Sequence, residues 1–201
     1  MNYAIEFKSE HHRHLFATAR KRTLKHQLVI VRTGLALIKL GKQEFSVKPE
    51  QGFWIPQNCL TALTVLPHTQ LERCDLSLRL KESFPSSSGY VALTPLMSAL
   101  CDKLAVTPAH SAAHNELLAV LKREITELEP SSLPNPLNEA INHWEKASKA
   151  LPNEVYLALL VREAIKRQQS GVSKDAIVEA LFAGNLAQCD QACEAIAGRI
   201  L

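Results

Sequence analysis

At Pro85-Ser-Ser-Ser-Gly89 the hydrophobic period of this chain changes, and few architectures accommodate that change. Ahead of it, apolar residues alternate with polar ones in short runs, the spacing of strands. Behind it they recur every three or four residues, the spacing of helices. His26-Gln-Leu-Val-Ile-Val-Arg32 is rich in β-branched residues and is broken by Thr33-Gly34. Leu35-Ala-Leu-Ile-Lys-Leu40 follows, then Gly41-Lys42 as a hairpin turn, then the alternating Gln43-Glu-Phe-Ser-Val47. Lys48-Pro-Glu-Gln-Gly52 is a turn, and Phe53-Trp-Ile55 is a short strand stopped by Pro56. Leu60 to Leu66 is another strand, and Gln70 to Leu80 closes the set. Short strands at this spacing predict an antiparallel barrel or sandwich.

The second half is predicted to be all helical. Thr94-Pro95 supplies an N-cap followed by proline at the first helical position, with Leu96, Leu100 and Leu104 then falling on one face. A second helix is predicted from about Ala109 to Leu128, with Leu117, Leu118, Leu121, Ile125 and Leu128 on one side. Pro130-Ser-Ser-Leu-Pro-Asn-Pro136 is a linker. Further helices are expected at roughly 137–150, 153–169, 173–183 and 187–200. A helix stop followed by the next helix's N-cap stands at Ser170-Gly-Val-Ser173, and the stretch around Ala183-Gly-Asn185 repeats that pattern. The fold class is α+β, with a strand domain over 1–84, a linker and paired helices over 85–130, and a helical domain over 131–201.

Charge is unevenly placed. Residues 1–82 hold 13 Lys/Arg against 7 Asp/Glu, whereas residues 83–201 hold 10 against 13. A nucleic-acid binder concentrates cations on the element that meets phosphate, so an acidic helical half argues against strong DNA binding. The five cysteines are odd in number, irregularly spaced and without a Cys-x-x-Cys, the pattern of reduced thiols. No apolar run approaches the roughly 18 residues of a membrane span, and the N-terminus lacks a hydrophobic signal region. The expected location is the cytoplasm, with no membrane partner.

His26-Gln-Leu-Val-Ile-Val-Arg-Thr-Gly34 resembles the opening barrel strand of AraC-type regulators with a cupin-like sensor domain. Pro49-Glu-Gln-Gly-Phe-Trp-Ile-Pro56 resembles that group's Pro-x-Gly-x-x-Trp-Ile-Pro segment, and Leu71-Glu-Arg-Cys-Asp-Leu-Ser-Leu78 the strand after it. Val91-Ala-Leu-Thr-Pro-Leu-Met97 is similar to the segment leading into the family's subunit-pairing helices. Leu133-Pro-Asn-Pro-Leu137 and Ala150-Leu-Pro152 resemble its linker and first DNA-domain helix. The resemblance implies a cupin-like jelly-roll barrel, a small organic effector, a homodimer and a helix-turn-helix region. The family carries two such units after the linker; the 65 residues following Pro136 leave room for one and a flanking helix.

Gly171-Val-Ser-Lys-Asp-Ala-Ile-Val-Glu-Ala-Leu-Phe182 matches either the first unit's recognition helix or the second unit's first helix. In the latter case Asn185 to Arg199 is the second recognition helix. The DNA-facing candidates are Lys174, Gln188, Gln191 and Arg199 on this tail, and Arg20, Lys21 and Arg22 in a cationic run near the N-terminus. Residues 152–201 hold 5 basic and 6 acidic side chains, so DNA binding by the tail is expected to be weak or lost.

The metal candidate is the cluster His11, His12 and His14. Cupin enzymes use a His-x-His pair and a later histidine, but here the pair precedes the barrel. Threonine, a poor ligand, stands at Thr61 where the later histidine falls. No metal, no cofactor and no enzymatic activity are expected, and the histidines are read as a solvated N-terminal arm. The ligand-pocket candidates are His26, Trp54, Thr61 and His68. The competing reading is a cupin-type binding protein or metal-dependent enzyme with a helical extension.

Overall fold

The structure, a computed structural model, describes residues 4–132, 135–145 and 150–201. Ten strands come first: β1 (Ile5–His12), β2 (Phe16–Ala17), β3 (Lys21–Arg22), β4 (His26–Thr33), β5 (Ala36–Leu40), β6 (Gln43–Val47), β7 (Gln51–Ile55), β8 (Leu60–Val65), β9 (Thr69–Leu76) and β10 (Gly89–Val91). Among the described residues six helices follow: α1 (Pro95–Val106), α2 (Ala112–Thr126), α3 (Pro136–Asn142), α4 (Asn153–Gln169), α5 (Lys174–Phe182) and α6 (Leu186–Ala197). The strands make two antiparallel sheets. The first has the order β1-β9-β4-β7-β10; the second has the order β2-β8-β5-β6, with β3 also on β8. The expected closed barrel is therefore corrected to a two-sheet arrangement whose edges stay separate.

Four layers result. Val29, Val31, Ile38, Val47, Phe53, Ile55, Val65 and Leu71 meet between the sheets. The opposite face of the first sheet (Leu28, Ile30, Trp54, Cys74 and Leu76) packs on Met97, Leu100 and Leu104 of α1 and Leu118, Leu121 and Ile125 of α2. The opposite face of the second sheet, at Leu37, packs with Leu66 on Ile141 of α3 and Val155, Ala158 and Leu159 of α4. The central strands are thus buried on both faces, and Leu28 to Val31 reads as an unbroken apolar run for that reason.

Thr94 caps α1 as predicted, its side chain accepting from the Met97 amide, with Pro95 in the first turn. The face of α1 is only partly as expected: Leu100 and Leu104 are buried, whereas Leu96 is exposed. The buried faces of α1 and α2 pack on the first sheet, and Leu96, Val106 and Val120 stay exposed.

Three features depart from the sequence reading. The N-terminal arm is an eight-residue strand, β1, paired along its length with β9. Its alternating charges disguise it, because an edge strand need not be apolar. Beyond the Pro85–Gly89 break the chain returns to the first sheet as β10, paired with β7. The helix expected over 137–150 runs from Pro136 to Asn142, and residues 146–149 of that expectation, like Leu133 and Pro134 of the linker, lie outside the described residues.

The free edge of β6 is closed by side chains rather than by a strand. Asn138 Oδ1 accepts from the Ser46 amide at 2.7 Å. One helical turn on, Asn142 Oδ1 accepts from the Glu44 amide at 2.8 Å and its Nδ2 donates to the Glu44 carbonyl at 3.0 Å. Spacing of four on a helix matches spacing of two on a strand, so two asparagines satisfy an edge.

Candidate functional site

Between the sheets, at one end, the apolar core gives way to a cavity of about 380 Å³. Its wall is built by alternation. Gln27 and Val29 of β4, Ile55 of β7 and Arg73 of β9 point inward from the first sheet, and Thr61 and Leu63 of β8 from the second. Lys21 and Arg22 of β3, with Thr23, Leu24 and Lys25 after them, form the rim. The volume lies in the range of small-molecule sites.

Four cations line this cavity and no carboxylate, imidazole or thiol does, among the described residues. The cations differ in how far they are engaged. Arg22 donates to the Asn58 carbonyl at 3.0 Å and side-chain oxygen at 3.2 Å, which holds the rim to the β7–β8 turn. Lys25 lies 3.5 Å from a Glu6 oxygen of β1. Arg73 Nε stands 3.1 Å from Asp75 Oδ1 but makes no hydrogen bond, although it is buried. Lys21 has no ion pair among the described residues and is exposed. Thr23 fixes the rim: its hydroxyl donates to the Pro56 carbonyl and accepts from the Cys59 amide. Leu24, next to it, is 85% exposed at the mouth.

Of the four expected pocket residues, Thr61 lines the cavity. Trp54 does not: it is fully buried on the other face of β7, against the α1–α2 layer, and its Nε1 donates to the Pro85 carbonyl at 2.9 Å. His26 stacks on Trp54 with ring centroids 5.6 Å apart, and its Nδ1 accepts from the Gln57 amide. Burial lowers the His26 pKa, so its ring is neutral near pH 7. His68 is an exposed turn residue with φ 58. The physical reason is strand geometry: Trp54 and Ile55 are neighbours in sequence and therefore point to opposite faces. Gln27 and Arg73 were missed because single polar residues within apolar strands carry no pattern of their own.

The candidates for DNA contact divide into two places. Arg20 donates to the Gly41 carbonyl at 2.7 Å, while Lys21 and Arg22 belong to the cavity rim. Lys174, Gln188, Gln191 and Arg199 belong to α5, α6 and the turn after it. The helices α5 and α6 are joined by Ala183-Gly184-Asn185, with Ala183 and Gly184 left-handed and Asn185 capping α6. A three-residue turn containing glycine has the length of a helix-turn-helix connection. Ile177, Val178 and Phe182 of α5 and Cys189, Ala192 and Cys193 of α6 are buried with Leu160, Val161 and Ala164 of α4. That leaves Gln188, Gln191 and Glu194 facing outward on α6. Lys174, the lysine of α5, is held 2.8 Å from Asp190.

No group of three or more His, Cys, Asp or Glu side chains is arranged to hold a metal ion among the described residues. His11 and His12 lie in β1, opposite Gln70 and Thr69 of β9, and the His14 ring packs over Gly198 at the end of α6. No helix is long and apolar enough to cross a membrane among the described residues.

A second, shallower depression of about 410 Å³ lies between β6 and α3. Its Asn135, Asn138 and Asn142 are already hydrogen-bonded to Ser46, Tyr90 and the β6 backbone.

No family model and no curated protein matches the chain in sequence. Solved structures similar in overall form include apo ToxT K231A from Vibrio cholerae, at TM-score 0.46 and 8% identity over 99% of this chain and 96% of that one. ToxT with bound unsaturated fatty acid gives 0.43 and 7% over 99% and 94%. A cupin superfamily protein from Desulfitobacterium hafniense gives 0.34 and 13% over 38% and 71%. These likenesses assign no role to any residue of this chain.

Proposed function

We propose that the chain is an effector-responsive regulator of the AraC type, in which the strand sandwich receives a small organic anion and the helical tail contacts DNA weakly or not at all. The observation that carries the reading is the cavity lined by Lys21, Arg22, Lys25 and Arg73 above Val29, Ile55 and Leu63. Lys25 and Arg73 have Glu6 and Asp75 beside them, but Lys21 and Arg22 have no carboxylate partner among the described residues; those two favour a negative ligand, and the apolar floor favours a hydrocarbon or aromatic body. The proposed action is binding: cationic and hydroxyl side chains stand over an apolar floor, and no histidine, cysteine or carboxylate lines the cavity among the described residues.

The reduced DNA role is supported by the tail itself. Across α5 and α6 one lysine stands against Asp175, Glu179, Asp190 and Glu194, and that lysine is paired. Each phosphate contact brings a cation, and Arg199 stands alone at the end of α6.

The cavity is tested with three probes sharing one ring system: 2-naphthoate, 2-naphthol and 2-naphthylmethylamine. Calorimetric titration is expected to show binding of the carboxylate, weaker binding of the neutral alcohol and none of the amine. The double variant Lys21→Ala/Arg22→Ala is expected to remove the preference for the anion. Equal binding of all three probes overturns the assignment. Gel shifts with the DNA upstream of the protein's own coding region, at two salt concentrations, test the tail. A strong, steeply salt-dependent shift overturns the weak-DNA reading.

A further inference from the structure

The outer edge of β1 is open. Its eight residues pair with β9 on one side, and on the other none of its backbone groups is hydrogen-bonded to another element among the described residues. The other long edge in the molecule, β6, is closed by Asn138 and Asn142. An uncovered edge of this length is a template for another strand.

The charges along β1 point to what that strand is. Glu6, Lys8, Glu10 and His12 alternate on one face, and they are poorly matched to β9. Glu6 stands opposite Asp75 and Lys8 opposite Arg73, like charges in both cases. The pattern fits a second copy of the same strand. In a symmetric antiparallel pair the two-fold axis is perpendicular to the sheet, so facing residues share a parity and the axis passes through a residue. With the axis at Ser9, Lys8 of each copy faces Glu10 of the other, and Glu6 faces His12. With the axis at Lys8 or Glu10, like charges meet head on. An axis at Phe7 sets Glu6 against Lys8 but leaves His11 and His12 without partners.

We propose that two copies of this chain pair edge to edge through β1, with Ser9 on the two-fold axis, joining their first sheets into one. The face carrying Ile5 and Phe7 packs toward the α1–α2 layer, so that layer is continuous across the axis. Within one copy Lys8 lies 3.2 Å from Glu6 and Glu10 3.8 Å from His12, but Lys8 and Glu10 keep 42% and 57% of their side-chain surface exposed, so each can exchange its partner along the strand for the one across the axis. A strand edge is smaller than a standard protein–protein interface, so the dimer forms in a concentration-dependent way.

Sedimentation velocity of the full chain over a concentration series tests the pairing. The wild type is expected to move from monomer to dimer. Lys8→Glu and Glu10→Lys are each expected to raise the dimer Kd by about tenfold or more, because each turns two facing pairs from attraction to repulsion. The double variant Lys8→Glu/Glu10→Lys is expected to restore it. Ser9→Cys supplies a second readout: mild oxidation is expected to give a covalent dimer, and Phe7→Cys is expected not to. The proposal is overturned by a wild type that stays monomeric, by a dimer indifferent to both single variants, or by crosslinking through Phe7→Cys instead. Rescue of Lys8→Glu by Glu6→Lys rather than by Glu10→Lys also overturns the Ser9 axis.

Discussion

Arg162 of α4 holds the Glu44 carboxylate of β6: one guanidinium nitrogen stands 3.0 Å from Glu44 Oε2, and the other donates to Glu44 and, at 3.0 Å, to Thr64 of β8. One side chain therefore ties the helical tail to two strands of the second sheet. Glu44 is 5% exposed, and Arg162 is the cation paired with it among the described residues.

Removing Arg162 alone is expected to destabilise the protein by about 3 kcal/mol, since it leaves a buried carboxylate without a cation. Arg162→Met measured by urea denaturation checks this. The double variant Arg162→Met/Glu44→Leu is expected to recover most of the loss, because no charge then remains buried. A single variant as stable as the wild type would mean that Glu44 finds water.

Asn138 is the second such junction. Its Oδ1 accepts from the Ser46 amide and hydroxyl, both at 2.7 Å, and its Nδ2 donates to the Tyr90 hydroxyl at 2.9 Å. Asn138→Ala is expected to cost about 2 kcal/mol, from leaving the buried Ser46 amide unpaired. Asn138→Asp, which keeps the acceptor but loses the donor, separates the two contributions. Thermal denaturation of both variants is the measurement.

Stability is expected to fall as the solution is acidified below neutrality. Burial lowers the pKa of His12, His26 and His114 below the ordinary 6.5. The unfolded chain therefore takes up protons more readily than the folded one. The contribution is complete above 6.5 and is lost as pH drops through the folded values. His26→Phe keeps a ring over Trp54 and removes one titrating group. Its denaturation midpoint should depend less on pH between about 7 and about 5 than that of the wild type. An unchanged slope would place the titration elsewhere.

Thiol chemistry should be slow. Cys74, Cys101, Cys189 and Cys193 are buried. Burial pushes Cys101 and Cys193 up to about 12, and Cys74 and Cys189 also upward. Cys59 is half-buried and raised by the same cause. A thiol-reactive chromophore is expected to label Cys59 first in the native protein and all five cysteines in denaturant. Rapid native labelling of Cys193 would contradict the packing of α6 on α4.

The strands between His26 and Leu76 were legible because their alternation and turns follow local rules, Gly41 and Pro56 among them. Their orientation was not. Where both faces of a sheet are covered, the sequence carries no contrast to say which face a residue such as Trp54 takes. Strand β1 was hidden for the opposite reason, an edge position that tolerates Glu6, Lys8 and Glu10. The helix caps at Thr94, Ser173 and Asn185 could be read from single residues. The Arg162–Glu44 contact joins residues far apart in the chain, and nothing in the sequence near either one announces the other.

The strand β10 has a practical consequence for anyone dividing the molecule. Tyr90 pairs with Phe53 of β7 and also bridges to Ser131, and its hydroxyl donates to the Ser46 carbonyl. A cut in the serine-rich stretch before Gly89 would strip this stitch from the sandwich and bare the backbone of β7. Pieces intended to fold separately need to leave the Gly89–Val91 segment with the strands that precede it, and to keep Ser131 within reach.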